Sequence, residues 1–180
     1  MKTIVFLSLF TLIGNSIFGQ TSSNLDSTNG YKIFKLGTSK NLYDDYIKNN
    51  HFNQESDTYS IEVKKFPSLK TAFGSDVATI SLQFDANNKL KIITIPYRLL
   101  PNNKNTDTTE ILKEEKKLVT KFGAPSEFSL DNLNFRVYRW NAKRVILTLN
   151  IRLVEGSDSE YWYKEIIFQN NADAVSMKKN

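Results

Sequence analysis

Residue types that do covalent chemistry are scarce in this chain, which carries one histidine and no cysteine. A lone imidazole works as a general base only where a nucleophile or metal is fixed beside it. His51, next to Phe52 in a polar stretch read as a loop, has neither a second histidine nor a thiol to work with. Thiol catalysis, Cys-ligated zinc and iron–sulfur clusters are excluded outright. The sequence also lacks a Gly-x-Ser-x-Gly elbow, a His-Glu-x-x-His pair, a phosphate-binding loop and a dinucleotide-binding glycine cluster.

Carboxylates can hydrolyse glycosides without histidine when two of them flank the bond. Asp44-Asp45 and Glu114-Glu115 are adjacent pairs on expected helices. Neighbouring helical side chains point about 100° apart, so neither pair converges on one substrate, and solvated helix faces account for both. Asp26-Ser27-Thr28-Asn29-Gly30 opens like a calcium loop but lacks the later acids and the terminal glutamate. Glu155, Asp158 and Glu160 fit a surface loop between strands as well as a cation site. No catalytic residue, metal or cofactor is assigned, and the reading leans away from an enzyme.

What remains is aromatic and basic. In one expected strand Arg136, Tyr138 and Trp140 share a face, and Trp162 alternates with Lys164 and Ile166 in another. Arg144 and Arg152 lie opposite the apolar series from Val145 to Leu153. Arginine and aromatic side chains are enriched at protein-binding hot spots, and aromatic rings also stack on sugars. The same large rings equally serve as core, so Arg136, Tyr138, Trp140, Arg144, Arg152 and Trp162 are candidate binding residues with both readings open.

The elements that would position them are legible from periodicity. Tyr31–Leu36 reads as a strand, and Thr38 or Ser39 as the N-cap of a helix with Leu42, Tyr43, Tyr46 and Ile47 on one face. Residues 58–65 alternate as a strand. Ile80–Phe84 and Lys89–Tyr97 form a hairpin through Asp85-Ala86-Asn87-Asn88. Asp107 and Glu110 have capping-box spacing ahead of a helix that buries Ile111, Leu112, Leu118, Val119 and Phe122 and stops at Gly123 and Pro125. Strands follow at Phe135–Trp140, Val145–Leu153 and Tyr161–Phe168. The expected class is α+β, an antiparallel sheet with two helices on one face. The two helices start roughly 70 residues apart, which leaves open both a tandem of αβββ halves (30–100 and 101–169) and a single undivided domain, 30–169.

Leu36-Gly37-Thr38-Ser39 opening a helix, Phe122-Gly123-Ala124-Pro125 closing one, and the following strand ending in Trp140 resemble motifs of the SmpA/OmlA outer-membrane assembly lipoproteins and the β-lactamase-inhibitor-protein-like superfamily around them. That resemblance implies a small exported α+β module that binds other proteins. The chain departs from the lipoproteins in lacking their cysteine and in placing strands between its helices. It is closer in spacing to the tandem inhibitor, whose two helix-plus-sheet halves form one concave sheet. No functional residue carries over.

The N-terminus explains where such a module would work. Lys2 precedes an uncharged apolar run, Thr3–Ile13, and Gly19 offers a small residue for cleavage, so residues 1–19 read as a secretory signal peptide. The run is too short to span a bilayer, and no transmembrane segment is expected after its removal. Residues 20–29 read as a flexible linker and 170–180 as a flexible tail. Without a cysteine the mature protein is not a lipoprotein and has no disulfides, so it is expected in the periplasm or outside the cell. The mature charge is +4, one lysine fewer than the full chain's +5. Its interspersed signs argue against nucleic acid as a partner. Another envelope or secreted protein is the expected partner, with an envelope glycan or other anionic ligand as the alternative.

Overall fold

The computed structural model describes residues 23–48, 57–103, 107–131 and 134–171, and the backbone of 51–53. The expected signal peptide and residues 172–180 of the expected tail lie outside the described residues. Residues 23–28 form a helix, α1. The short hairpin β1 (Gly30–Tyr31) and β2 (Phe34–Lys35) follows, then a 3-10 turn (Lys40–Tyr43) running into α2 (Asp44–Ile47). Next come β3 (His51–Asn53), β4 (Thr58–Glu62), two 3-10 turns, the small hairpin β5 (Thr71–Ala72) and β6 (Ser75–Asp76), β7 (Thr79–Phe84), β8 (Leu90–Pro96) and β9 (Leu100–Pro101). The second half supplies α3 (Thr108–Ile111), α4 (Lys113–Phe122), β10 (Glu127–Asp131), β11 (Phe135–Asn141), β12 (Val145–Glu155) and β13 (Glu160–Asn170).

The expected α+β class holds. An antiparallel sheet runs in the order β10-β11-β12-β13-β8-β7-β4-β3, with β9 added beside β13. Each half contributes a helical segment and four strands in meander order, and the last strands of the two halves, β8 and β13, meet at the centre. The αβββ expectation is thus one strand short in each half. β10 and β3 are edge strands too short to read, β3 of three residues and β10 with only Phe128 and Leu130 alternating with polar neighbours, and residues around His51 extend as strand instead of the expected loop.

Alternation decides what is buried. Val145, Leu147, Leu149 and Ile151 of β12 are buried, as are Ile166 and Phe168 of β13, Ile93 and Ile95 of β8, and Ile80 and Leu82 of β7. All point to the side where the helices lie. Burying one such side chain stabilises by about 1.5–3 kcal/mol. Against this wall pack Ile111, Leu118 and Phe122 from the α3–α4 segment, Phe34 and Tyr43 from the first half, and Leu25 of α1.

Leu25 corrects the expectation of a flexible linker, because α1 is anchored. The Asp26 carboxylate accepts from the backbone N–H groups of Lys143 (3.1 Å) and Arg144 (2.7 Å) in the turn between β11 and β12. The expected strand 31–36 is also corrected, since Lys32, at φ +50°, reverses the chain between β1 and β2. Ser39 precedes the 3-10 turn without capping it, its hydroxyl instead accepting from the Lys89 ammonium at 2.6 Å. By contrast Asp107 caps as expected, accepting from the Thr109 N–H at 3.0 Å. The α4 end is pinned as well. Gly123, at φ +77°, exposes its carbonyl to the Trp140 indole N–H at 2.8 Å.

The sequence reading placed Glu114 on a solvated helix face, and this is a further correction. Glu114 and Lys164 are both fully buried, with Nζ and Oε2 2.6 Å apart, and Lys164 Nζ also donates to the Glu110 carbonyl at 3.0 Å. Positions 111, 114, 118 and 122 form one helical stripe, which carries the carboxylate inward over β13. Beside the pair, the Tyr97 hydroxyl donates to the Ala72 carbonyl at 3.2 Å and the Tyr31 hydroxyl to the Thr71 carbonyl at 2.7 Å, so two buried phenols hold β5 in place.

Two expectations follow. Glu114→Leu strands an ammonium in the core and should cost about 3–5 kcal/mol in urea denaturation, whereas Glu114→Leu with Lys164→Met should recover most of that loss. A single-variant loss no larger than that of a surface pair would contradict the burial. Burial raises the Tyr31 hydroxyl to about 12 and pushes the Tyr97 hydroxyl well above its ordinary range, with the Glu114 charge adding to the effect. A phenol whose folded pKa is raised contributes stability that is complete below its unfolded pKa of about 10 and lost as pH climbs through the folded value. Urea midpoints should therefore fall from about pH 10 toward pH 12, and less steeply in Tyr31→Phe.

Candidate binding face

Because helices and small hairpins cover one face of the sheet, the other is left open. No described residue on that face is fully buried, from Thr58, Ser60 and Glu62 on β4 across to Val137 and Arg139 on β11. Its middle row is set by register. Ser60, Ser81, Thr94, Ile167, Thr148 and Arg139 lie side by side across β4, β7, β8, β13, β12 and β11.

A hydrogen-bonded charged group on this face is built on β12 and β13. The Arg152 guanidinium stacks over the Tyr163 ring, 4.7 Å from its centroid. The Tyr163 hydroxyl donates to Glu165 Oε2 at 2.9 Å, and Asn150 Nδ2 donates to Glu165 Oε1 at 3.0 Å. Burial raises the Tyr163 hydroxyl to about 12; its hydrogen bond to Glu165 and the Glu165 charge add to this, while Arg152 pulls the other way. A stacked guanidinium has lost part of its freedom before any partner arrives, so ordering it costs less on binding. Phe135, Arg152's partner on β11, extends the patch, and 36% of it is exposed.

The six residues singled out from the sequence separate. Arg152 alone belongs to this group on the open face. Tyr138 and Trp140 are buried on the helix-covered face, where they pair with Leu149 and Leu147 of β12, so these rings are core. Arg136 shares that side, half-buried and pairing with Ile151; burial above all raises the Tyr138 phenol, while the Arg136 charge pulls it the other way. Trp162 is partly buried on the same side and donates from its indole N–H to Asn102 Oδ1 at 3.2 Å. Arg144 stands in the β11–β12 turn, with its guanidinium on the Asp26 carbonyl at 3.1 Å, and serves α1 docking. Tyr163, Glu165 and Asn150 were missed. Their signal was the period of two itself: on β12 and β13 they occupy positions complementary to the apolar series.

A second concavity, of about 370 Å³, lies on the covered side beside the buried ion pair, bordered by Ser75, Tyr97, Arg98, Lys113, Glu114 and Lys164 among others. Ser75 Oγ and Glu114 Oε1 are buried there without a protein partner. Glu155, Asp158 and Glu160 flank the turn between β12 and β13, and among the described residues no three acidic or histidine side chains gather to hold a metal ion. Among the described residues no helix is long and apolar enough to cross a membrane. No protein-family model, curated protein or solved structure matches the chain.

The division between core and face has a direct test. Trp140→Ala should cost about 3–5 kcal/mol in urea denaturation, while Arg152→Ala should stay within about 0.5 kcal/mol of the parent. Comparable costs for both would place them in one environment and contradict the assignment.

Proposed function

We propose that the protein is an exported, non-catalytic binding module of the cell envelope or secretome, which engages another protein through the open face of its sheet. The observation that carries this reading is the one-sided covering of the sheet. Four strands from each half present an uncovered surface of mixed polar, aliphatic and aromatic groups, with Arg152 already stacked on Tyr163. Interfaces of this kind centre on arginine and tyrosine anchors ringed by less important contacts. A rigid sheet also spares the partner much of the ordering cost of binding. The resemblance of the helix-opening and helix-closing motifs to β-lactamase-inhibitor-protein-like modules points the same way. So does the apolar N-terminal run, which reads as a signal for export, while the chain as given offers no cysteine to carry a lipoprotein's lipid.

Thr148 lies near the middle of the open face, half-buried and paired with Arg139 and Ile167. Purified protein immobilised against native envelope and secreted fractions should retain one protein partner. Thr148→Glu or Arg152→Glu should lose it while keeping the parent's circular dichroism and melting temperature. A partner retained equally by both variants would place the contact elsewhere and overturn the open-face reading.

A further inference from the structure

On the covered side, away from the open face, the β1–β2 hairpin, β5 and the end of α4 enclose a concavity of about 420 Å³. Its described lining includes Lys32, Lys35 and Lys121 and no carboxylate. Each ammonium is oriented by groups that carry no net charge. Lys35 Nζ donates to the Thr28 carbonyl at 2.7 Å, and Lys32 Nζ donates to the Thr71 carbonyl at 2.9 Å and to the Ser68 carbonyl. Lys121 Nζ sits over the Phe73 and Phe122 rings, 5.6 and 5.3 Å from their centroids.

Some lysines elsewhere are neutralised directly: Lys40 meets Asp57 at 2.8 Å, Lys113 meets Glu110 at 3.4 Å, and Lys164 meets Glu114. In the groove, neutral carbonyl dipoles offset only part of the charge. Three cations around one concavity repel one another until an anion enters. The site is also preformed. Gly30, at φ +128°, lies so close to the turn that a Cβ there would fall 2.3 Å from the Phe34 carbonyl oxygen. That close packing fixes the hairpin carrying Lys32 and Lys35 before a ligand arrives.

The geometry points to an oxyanion-binding site formed by Lys32, Lys35 and Lys121, taking a multiply charged phosphate or sulfate group, whether free or carried on a lipid headgroup. Lysine acts here as a point charge with several donors, suited to tetrahedral oxyanions. The site lies on the side of the sheet opposite the proposed protein-binding face and is independent of that reading.

The test uses isotope-labelled protein titrated with sodium pyrophosphate at constant ionic strength, read by amide chemical shifts. Saturable shifts at Gly30, Lys32 and Thr71 are expected. Affinity should fall at least about tenfold in Lys32→Gln with Lys121→Gln, and stay within about twofold in the charge-matched control Lys116→Gln with Lys143→Gln. Lys121→Gln alone, on an exposed helix position, serves if the double variant does not fold. Equal losses in groove and control variants, or no saturable shift at those amides, would overturn the assignment. Co-sedimentation with phosphatidylcholine vesicles containing about 30% phosphatidylglycerol then separates the sources. Groove-dependent sedimentation identifies a headgroup ligand, and pyrophosphate binding without sedimentation identifies a soluble oxyanion.

Discussion

An ammonium group sealed from water needs an anion, and in this protein that requirement fixes how helix and sheet meet. Lys164 lies on the central strand β13 with its side chain wholly covered, and its counter-charge comes from Glu114 on α4. The pair defines both the height and the rotation of the helix over the sheet. Once Glu114 is set, Leu118 and Phe122 follow at successive turns onto the apolar wall. Apolar packing alone tolerates sliding, whereas a buried charge with one partner does not, so the pair supplies specificity even where its net stabilisation is small. Around it the Tyr97 and Tyr31 hydroxyls hold the β5–β6 hairpin, and the Trp140 indole holds the end of α4.

The same one-sided arrangement divides the molecule by task. Everything costly to expose is gathered between the helices and the inner face: the aliphatic rows, Trp140, Tyr138 and the ion pair. The outer face keeps groups that tolerate water, and its charged cluster is internally satisfied except at the Arg152 guanidinium edge. Loops and hairpins on the covered side carry a separate electrostatic feature, the three lysines whose charges meet no acid among the described residues. Two surfaces of different character thus sit on opposite sides of one sheet.

Much of this was legible from residue pattern. Period-two runs located β7, β8, β11, β12 and β13, and the Asp107 cap with the Gly123 and Pro125 stop bounded the long helix. Faces were harder. Arg136, Tyr138 and Trp140 alternate as cleanly as any exposed row, and only the position of α4 over β11 turns them inward. Glu114 and Lys164 look like surface residues by type. Each nonetheless occupies an inward position of its own period, and the charge of one licenses the burial of the other, a long-range pairing no local pattern reveals. β10, with Phe128 and Leu130 exposed, offered no burial contrast to read. Ser39 was a plausible cap whose hydroxyl went to Lys89, fifty positions along the chain.

β13 has a further consequence. Among the described strands it is the latest in sequence, yet it lies in the interior of the sheet between β12 and β8, with β9 at its end. Among the described strands the two four-strand meanders pair with each other only through β8 and β13, so the halves become one sheet only when β13 is in place. Assembly therefore waits on β13, which brings both the central strand and the Lys164 ammonium that compensates Glu114. Such non-local closure is intrinsically slow, because β8 and β13 are far apart along the chain when they pair.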